Sequence, residues 1–208
     1  MKGAFRNMTD PITGLIRDEI SETIIDTAAG LVREEGAHRV NVRKIITRMG
    51  VTNRVFYNRF KNCDEVLRIV YARSVAQTRE AVVPDFTDKQ SFIRFCMDAA
   101  EHVMISTYEM KMCFSRYVFE HDSLTEENRL WWKQHIIRNY ESAHQKGYVK
   151  TADTEALCYA IWCFCRGYYA DIAARELQKE EAVRLFRFGF RCLLDGILTP
   201  DDTPQADK

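Results

Sequence analysis

The chain has 208 residues, with 30 Lys/Arg against 30 Asp/Glu, 46% hydrophobic and 29% charged residues, an ordinary balance for a soluble globular protein of one or two domains with a substantial core. No apolar run approaches the roughly 20 residues needed to span a bilayer, and the opening MKGAFRNMTDPITGLI lacks a signal peptide's apolar stretch and cleavage site. Seven cysteines without regular spacing suit buried thiols in a reducing compartment, so a cytoplasmic protein without membrane partners is expected.

In chain order, residues 1–12 read as a loose arm, whose Lys2 and Arg6 either approach DNA or simply belong to a flexible terminus. A first helix should begin between Asp10 and Asp18, since Pro11 fits only a first turn. Ile20, Ile24, Ala28 and Leu31 form its inward stripe, and Gly36 ends it. A second helix carries Val42, Ile45, Ile46 and Met49 on one face and Arg43, Lys44 and Arg48 on the other, with Asn41 placed to cap it. Gly50 supplies a left-handed exit, Val51 plugs the corner, and Thr52 caps a third helix, Asn53 to Phe60. A fourth starts near Asn62, with Asp64 and Glu65 at its positive end, and runs to about Val82 because nothing breaks it before Pro84.

Val83-Pro84-Asp85 is the best domain boundary in the chain. Beyond it the spacing predicts helices over Ser91 to about Ser106, Tyr108 to Glu120, Thr125 to Lys146, Glu155 to about Gln178, and Glu180 to Ile197. Thr125 and Asn128 form a degraded capping box, Gly147 closes one helix, and Asp153 or Thr154 caps the next. The tail TPDDTPQADK reads as disordered, and no internal repeat or convincing strand run is present. The expectation is an all-α protein of about nine helices: an arm and three-helix domain over 1–63, a connecting helix over 64–83, a second helical domain over 84–198, and a tail over 199–208.

Helix, glycine turn and capped short helix make a helix-turn-helix, and charge marks the same stretch. From Gly36 to Cys63 there are seven cations, Arg39, Arg43, Lys44, Arg48, Arg54, Arg59 and Lys61, and no Asp or Glu. Residues 1–73 hold 13 Lys/Arg and 9 Asp/Glu, net +4, which leaves the remainder at net −4. Such asymmetry points to a polyanion for the basic part, the alternative being a solvated face on a buried three-helix unit. The exposed set on the third helix is expected to be Asn53, Arg54, Val55, Asn58 and Arg59, between buried Val51, Phe56 and Phe60. Arg54 and Arg59 suit a forked contact to guanine, and Asn53 or Asn58 one to adenine.

At these residues the sequence resembles the N-terminal domain of TetR-type transcriptional regulators. The matching features are Glu35-Gly36, the Val42-Arg43-Lys44-Ile45 opening of the second helix, Gly50-Val51-Thr52, Phe56-Tyr57 with Phe60, and Asp64-Glu65-Val66-Leu67. The resemblance covers about residues 18–72. It implies phosphate contacts from Tyr57 and from the Thr52 hydroxyl with its helix N-terminus, and contacts to phosphate or base from Arg43, with Lys44 beside it. Two positions depart from the family: Arg54 stands where a small residue is common, and Cys63 stands where a Lys is common, so Lys61 is the expected substitute for that phosphate contact.

The resemblance also implies that the second domain binds a small effector and forms the dimer. Effector candidates are Phe95, Met104, Tyr108, Phe114, Tyr117, Trp131, His135, Trp162 and Arg166, with Tyr140 a further candidate donor; each is otherwise a core residue. In the family the last two helices pair between subunits, which assigns Trp162, Tyr169, Phe186, Phe190 and Leu194 to a dimer interface unless they pack within one chain. No cofactor or metal is expected, since zinc-type Cys spacing and His-Glu-x-x-His are missing. Cys63, beside cations and a helix N-terminus, is the one candidate reactive thiol. The sequence therefore reads as a ligand-responsive, homodimeric DNA-binding repressor and not an enzyme. The alternative is an all-helical small-molecule-binding protein or enzyme whose basic N-terminal domain is structural.

Overall fold

The computed structural model of the chain describes residues 8–9, 15–110 and 123–200. The chain divides into two compact units, one holding residues up to Glu80 and the segment from Ser106, the other Ala81–Ile105 and the chain from His121 onward.

In the first unit, Asp18 sets the start of α1 (Glu19–Glu35): its carboxylate accepts from the Ser21 N–H at 2.9 Å, and the Ser21 hydroxyl accepts from the Asp18 N–H at 3.2 Å. This reciprocal cap satisfies donors that no upstream carbonyl reaches. Ile24, Ile25, Ala28, Leu31 and Val32 are buried. Ile20, expected on the inward stripe, is instead exposed, because the stripe begins one turn later. A 3-10 turn over Ala37–Arg39 leads to α2 (Val42–Met49), where the Asn41 side chain accepts from the Lys44 N–H at 3.0 Å. Gly50 takes φ 67° and ψ 30°, the left-handed exit that a side chain with a Cβ resists.

The third helix, α3 (Asn53–Tyr57), is shorter than expected, although the Phe60 N–H still donates to the Phe56 carbonyl at 3.0 Å. After it, α4 (Cys63–Glu80) begins where the Asn62 side-chain oxygen accepts from the Glu65 N–H at 2.9 Å. α1 packs on both α2 and α4, and fully buried Ile24, Ala28, Val32, Ile45, Phe56, Phe60 and Val66 form the core between them. One feature had no signal in the sequence pattern: β1 (Met8–Thr9) pairs antiparallel with β2 (Ile16–Arg17), Met8 opposite Arg17 and Thr9 opposite Ile16. Otherwise the expected arm, with Lys2 and Arg6, lies outside the described residues, as does most of the tail.

Of the next helix, α5 (Lys89–Met110), the part up to Ile105 belongs to the second unit. It is capped by Asp88 and Ser91, each side chain accepting from the other's N–H at 2.7 and 3.0 Å. The expected break after Ser106 does not occur, since neither Pro nor Gly interrupts the chain there. The shorter helix expected up to Glu120 passes beyond the described residues. Next come α6 (Ser123–Gln145), α7 (Thr154–Arg175) and α8 (Lys179–Ile197), with α7 packed against both α6 and α8. Asp153 caps α7 through bonds of 3.0 and 3.1 Å from the Glu155 and Ala156 N–H groups. Phe164, Tyr168, Tyr169, Phe186 and Phe190 form one aromatic cluster between α7 and α8. Among the described residues the architecture is therefore eight α-helices and a two-residue strand pair.

Candidate nucleic-acid interface

The α2–α3 corner displays the basic segment unevenly. Arg43 projects from the start of α2 into solvent. Lys44 is half-buried, its Nζ 2.5 Å from Glu35 of α1. Arg48 makes a forked pair with Glu34 at 2.9 and 2.8 Å, which holds the Glu34 carboxyl below its usual range. Two α2 cations are thus balanced by acids at the end of α1, and these pairs hold α2 against α1 while reducing the net positive field.

On α3, Thr52, Asn53, Arg54, Tyr57 and Asn58 are exposed, and Val55 is half-buried. Thr52 occupies the cap position without bonding the helix through its hydroxyl. Tyr57 is 52% exposed, its ring edge-on to buried Phe56 at 5.4 Å, so the side chain has a packed base and a free hydroxyl end. Lys61 is exposed just beyond the helix, and its backbone N–H donates to Glu65 at 2.8 Å. Arg39, Arg43, Arg54 and Lys61 form no ion pair among the described residues.

Arg59 corrects the expected reading face. It is 7% exposed: Nε lies 2.8 Å from Asp18 Oδ1, Nη2 2.5 Å from Asp18 Oδ2, and Nη1 donates to the Val55 carbonyl at 2.9 Å. The guanidinium beside Asp18 holds that carboxyl far below the usual range, despite the opposing effect of burial. Arg59 follows buried Phe56 by three residues, a helical spacing that puts both on one face, and that was the signal available in the sequence. Cys63 is a second correction. Its half-buried thiol donates to the Val40 carbonyl at 3.7 Å, and burial pushes its pKa up to about 11, with Asp64 adding to the shift, so it is not an activated thiolate.

In the second unit, the expected effector residues separate. Phe95, Trp131 and His135 come together, with Trp131 stacked on the His135 ring at 5.0 Å and Phe95 6.4 Å from it. Burial, and secondarily Arg138, lowers the His135 pKa. The Arg166 guanidinium lies over the Trp162 ring at 5.6 Å. Met104 is buried, Tyr108 is half-buried, and Phe114 and Tyr117 lie outside the described residues. Tyr140 is committed to the Lys150 carbonyl at 2.6 Å. A cavity of about 600 Å3 opens elsewhere, between the 81–87 connection and α5, and of the expected residues only Phe95 lines it; Ser91, Arg94, Asp98 and His102 supply its polar side.

The expected dimer residues are also redistributed. Tyr169, Phe186, Phe190 and Leu194 are buried inside the single chain, Phe186 stacking on Phe190 at 5.9 Å and on Tyr169 at 6.1 Å, while Trp162 is half-buried. They are core because the largest stripe of each helix meets its neighbour in the same chain. The outward side carries Tyr159, 69% exposed, and Phe188, 73% exposed, together with exposed Cys163, Gly167 and Cys192. No helix among the described residues is long and apolar enough to cross a membrane.

The sequence model for bacterial regulatory proteins of the tetR family matches residues 24–69, which span α1 through the first turns of α4. A comparison with curated proteins finds no match. Among solved structures, a TetR-family transcriptional regulator from Pectobacterium atrosepticum aligns with TM-score 0.70 at 18% identity, covering 88% of this chain and 95% of that one. SmeT, repressor of the Stenotrophomonas maltophilia multidrug efflux pump SmeDEF, aligns with TM-score 0.68 at 17% identity, covering 90% and 94%. The fatty acid degradation regulator FadR from Bacillus halodurans aligns with TM-score 0.66 at 17% identity, covering 86% and 96%.

Proposed function

Because the chain carries the N-terminal domain of the tetR family of bacterial regulatory proteins and has the fold of TetR-family transcriptional regulators, we propose that it is a ligand-responsive repressor that binds a palindromic operator as a homodimer. The observation that carries this reading is the acid-free, exposed set Arg43, Thr52, Asn53, Arg54, Tyr57, Asn58 and Lys61 around a buried Phe56–Phe60 base. α3 enters the major groove, where Arg54 bonds guanine O6 and N7 and Asn53 or Asn58 bonds adenine. Val55 offers an apolar contact to a thymine methyl, and Thr52, Tyr57, Arg43 and Lys61 fix the register on phosphates.

One short helix gives little affinity alone, so two copies act over two half-sites. Exposed Tyr159 and Phe188 on the last two helices are the surface that supports pairing with a second copy. The effector is a small molecule with an apolar body and a polar group, supported by the Trp131–His135–Phe95 cluster and the mixed lining of the cavity. It releases DNA to the extent that it binds the DNA-free arrangement of the dimer more tightly than the DNA-bound one. The protein works in the compartment that holds the DNA, the cytoplasm.

Fluorescence anisotropy of a mixed-sequence duplex across a salt series tests the premise. The expected outcome is binding whose log K falls linearly with log salt, as released counterions require. Absent or salt-independent binding would favour the all-helical ligand-binding protein with a structural basic domain.

A further inference from the structure

A recognition helix of five residues cannot hold its own orientation, because so short a helix forms almost none of its own hydrogen bonds. Three of the carbonyls at and just beyond its C-terminal end accept from donors outside the helix's own backbone ladder. Val55 O accepts from the Arg59 guanidinium at 2.9 Å, Asn58 O from the Ile16 N–H at 2.9 Å, and Arg59 O from Arg17 Nη1 at 2.9 Å. Two of these three donors belong to β2. Arg17 continues to Glu65 of α4 at 2.7 Å and lies over the Phe60 ring at 4.7 Å. Asp18, the next residue, takes the Arg59 fork.

We propose that Ile16–Asp18 is a positioning strap for α3: Arg17, Asp18 and Arg59 set the angle at which Asn53, Arg54 and Asn58 meet base edges, without touching DNA themselves. The inference rests on the DNA-reading role argued above and assigns three residues to the accuracy of that reading. Charge and geometry agree. Arg17 and Arg59 bring two cations to the end of the helix where unpaired carbonyls accumulate, and Asp18 neutralises the deeper one. Register is set by the same segment, because Met8 and Thr9 pair with Arg17 and Ile16 and hold them extended.

The test uses the full chain with two duplexes, one enriched from a random pool by the wild type and one of mixed sequence, at two salt concentrations, with a thermal melt of each variant. Asp18→Asn keeps a good helix cap while losing the ion pair. Its affinity for the enriched duplex should fall about tenfold or more, the loss expected when a forked base contact is misaimed. Affinity for the mixed duplex should stay within about twofold and the salt slope should not change, since every phosphate keeps its partner. Arg17→Ala should behave the same way from a half-exposed position, which keeps the test open if Asp18→Asn does not fold. Arg17→Lys should fail as Arg17→Ala does, because an ammonium cannot hold Arg59 O and Glu65 as a fork. Unchanged affinity for the enriched duplex in folded variants would overturn the strap. So would equal losses on both duplexes with a shallower salt slope and rescue by Lys, which would make Arg17 a phosphate contact. A wild type indifferent to the two duplexes would contradict the DNA-reading role itself, a separate failure from variants that leave an established preference intact.

Discussion

Asp18 and Arg59, 41 residues apart in sequence, meet as a buried fork with N–O distances of 2.8 and 2.5 Å. That pair joins the cap of α1 to the residues that follow α3 and removes one arginine from the exposed surface proposed to read bases. Arg54 is left as the one exposed arginine on α3.

Arg54→Ala should therefore relax preference at one base position per half-site, by ~1–3 kcal/mol. Tyr57→Ala and Lys61→Ala should instead weaken binding to every duplex and lower the salt slope by about one for each phosphate left without its protein partner in a subunit. Binding titrations against single-base operator variants and across salt separate the two patterns. An unchanged preference in Arg54→Ala would remove that residue from direct readout.

Two phenylalanines of α8, two residues apart, should fail differently. Phe186 is 1% exposed among four aromatic rings, so Phe186→Ala should lower stability by ~3–5 kcal/mol in urea denaturation. Phe188 is 73% exposed, so Phe188→Asp should leave the unfolding of the chain nearly unchanged and shift sedimentation from the proposed dimer to monomer. A dimer that survives Phe188→Asp would place the pairing surface elsewhere.

Glycines 30 and 189 both lie inside helices, yet their substitutions should have opposite signs. At Gly189 an added Cβ would stand 2.9 and 3.0 Å from the Phe164 ring, which is itself packed against Phe186 and Phe190. Overpacking of this kind costs ~1–3 kcal/mol, more than the roughly 1 kcal/mol gained in helix propensity, so Gly189→Ala should lower the melting temperature. Nothing lies within 4 Å of a Cβ at Gly30, and Gly30→Ala should raise stability by about 0.5–1 kcal/mol. Thermal melts of the two variants read the difference directly.

His135 gives the fold a pH dependence with a defined sign. Burial lowers its folded pKa, so below the ordinary value of 6.5 the unfolded chain takes up a proton that the folded chain resists. The unfolded state then binds more protons, and stability falls as pH drops from about 6.5 towards the lowered pKa. Arg138 adds to the effect by repelling the imidazolium. His135→Leu should remove this component, so its urea midpoint should change less between pH 7.5 and 5.5 than the wild type's. Equal pH dependence in both proteins would contradict the assignment.

What could be read from the sequence was local. Asn41, Gly50 and Asp153 act within a few residues of themselves, and the caps and turn they specify stand where the spacing put them. Phe56 and Phe60 were legible as buried because a helical period separates them. Arg59, three residues after Phe56, shares that face, but its partner Asp18 lies 41 residues away and is brought near only by packing of the whole N-terminal unit. The α8 stripe was legible as a stripe, but periodicity does not say whether Phe186, Phe190 and Leu194 meet the same chain or another copy. The answer came from α7, whose aromatic residues fill that side and leave Tyr159 and Phe188 outward. The strand pair Met8–Thr9 with Ile16–Arg17 is too short for alternation to reveal.

The measurement that bears most directly on this account is selection of bound duplexes from a random pool at two salt concentrations. A palindrome should be enriched, with half-sites about one helical turn apart or a multiple of it and a guanine in each half-site that Arg54→Ala no longer requires. Recovery of folded, ligand-free protein with no enriched sequence at either salt concentration would contradict it, and the helix-turn-helix would then be scaffold.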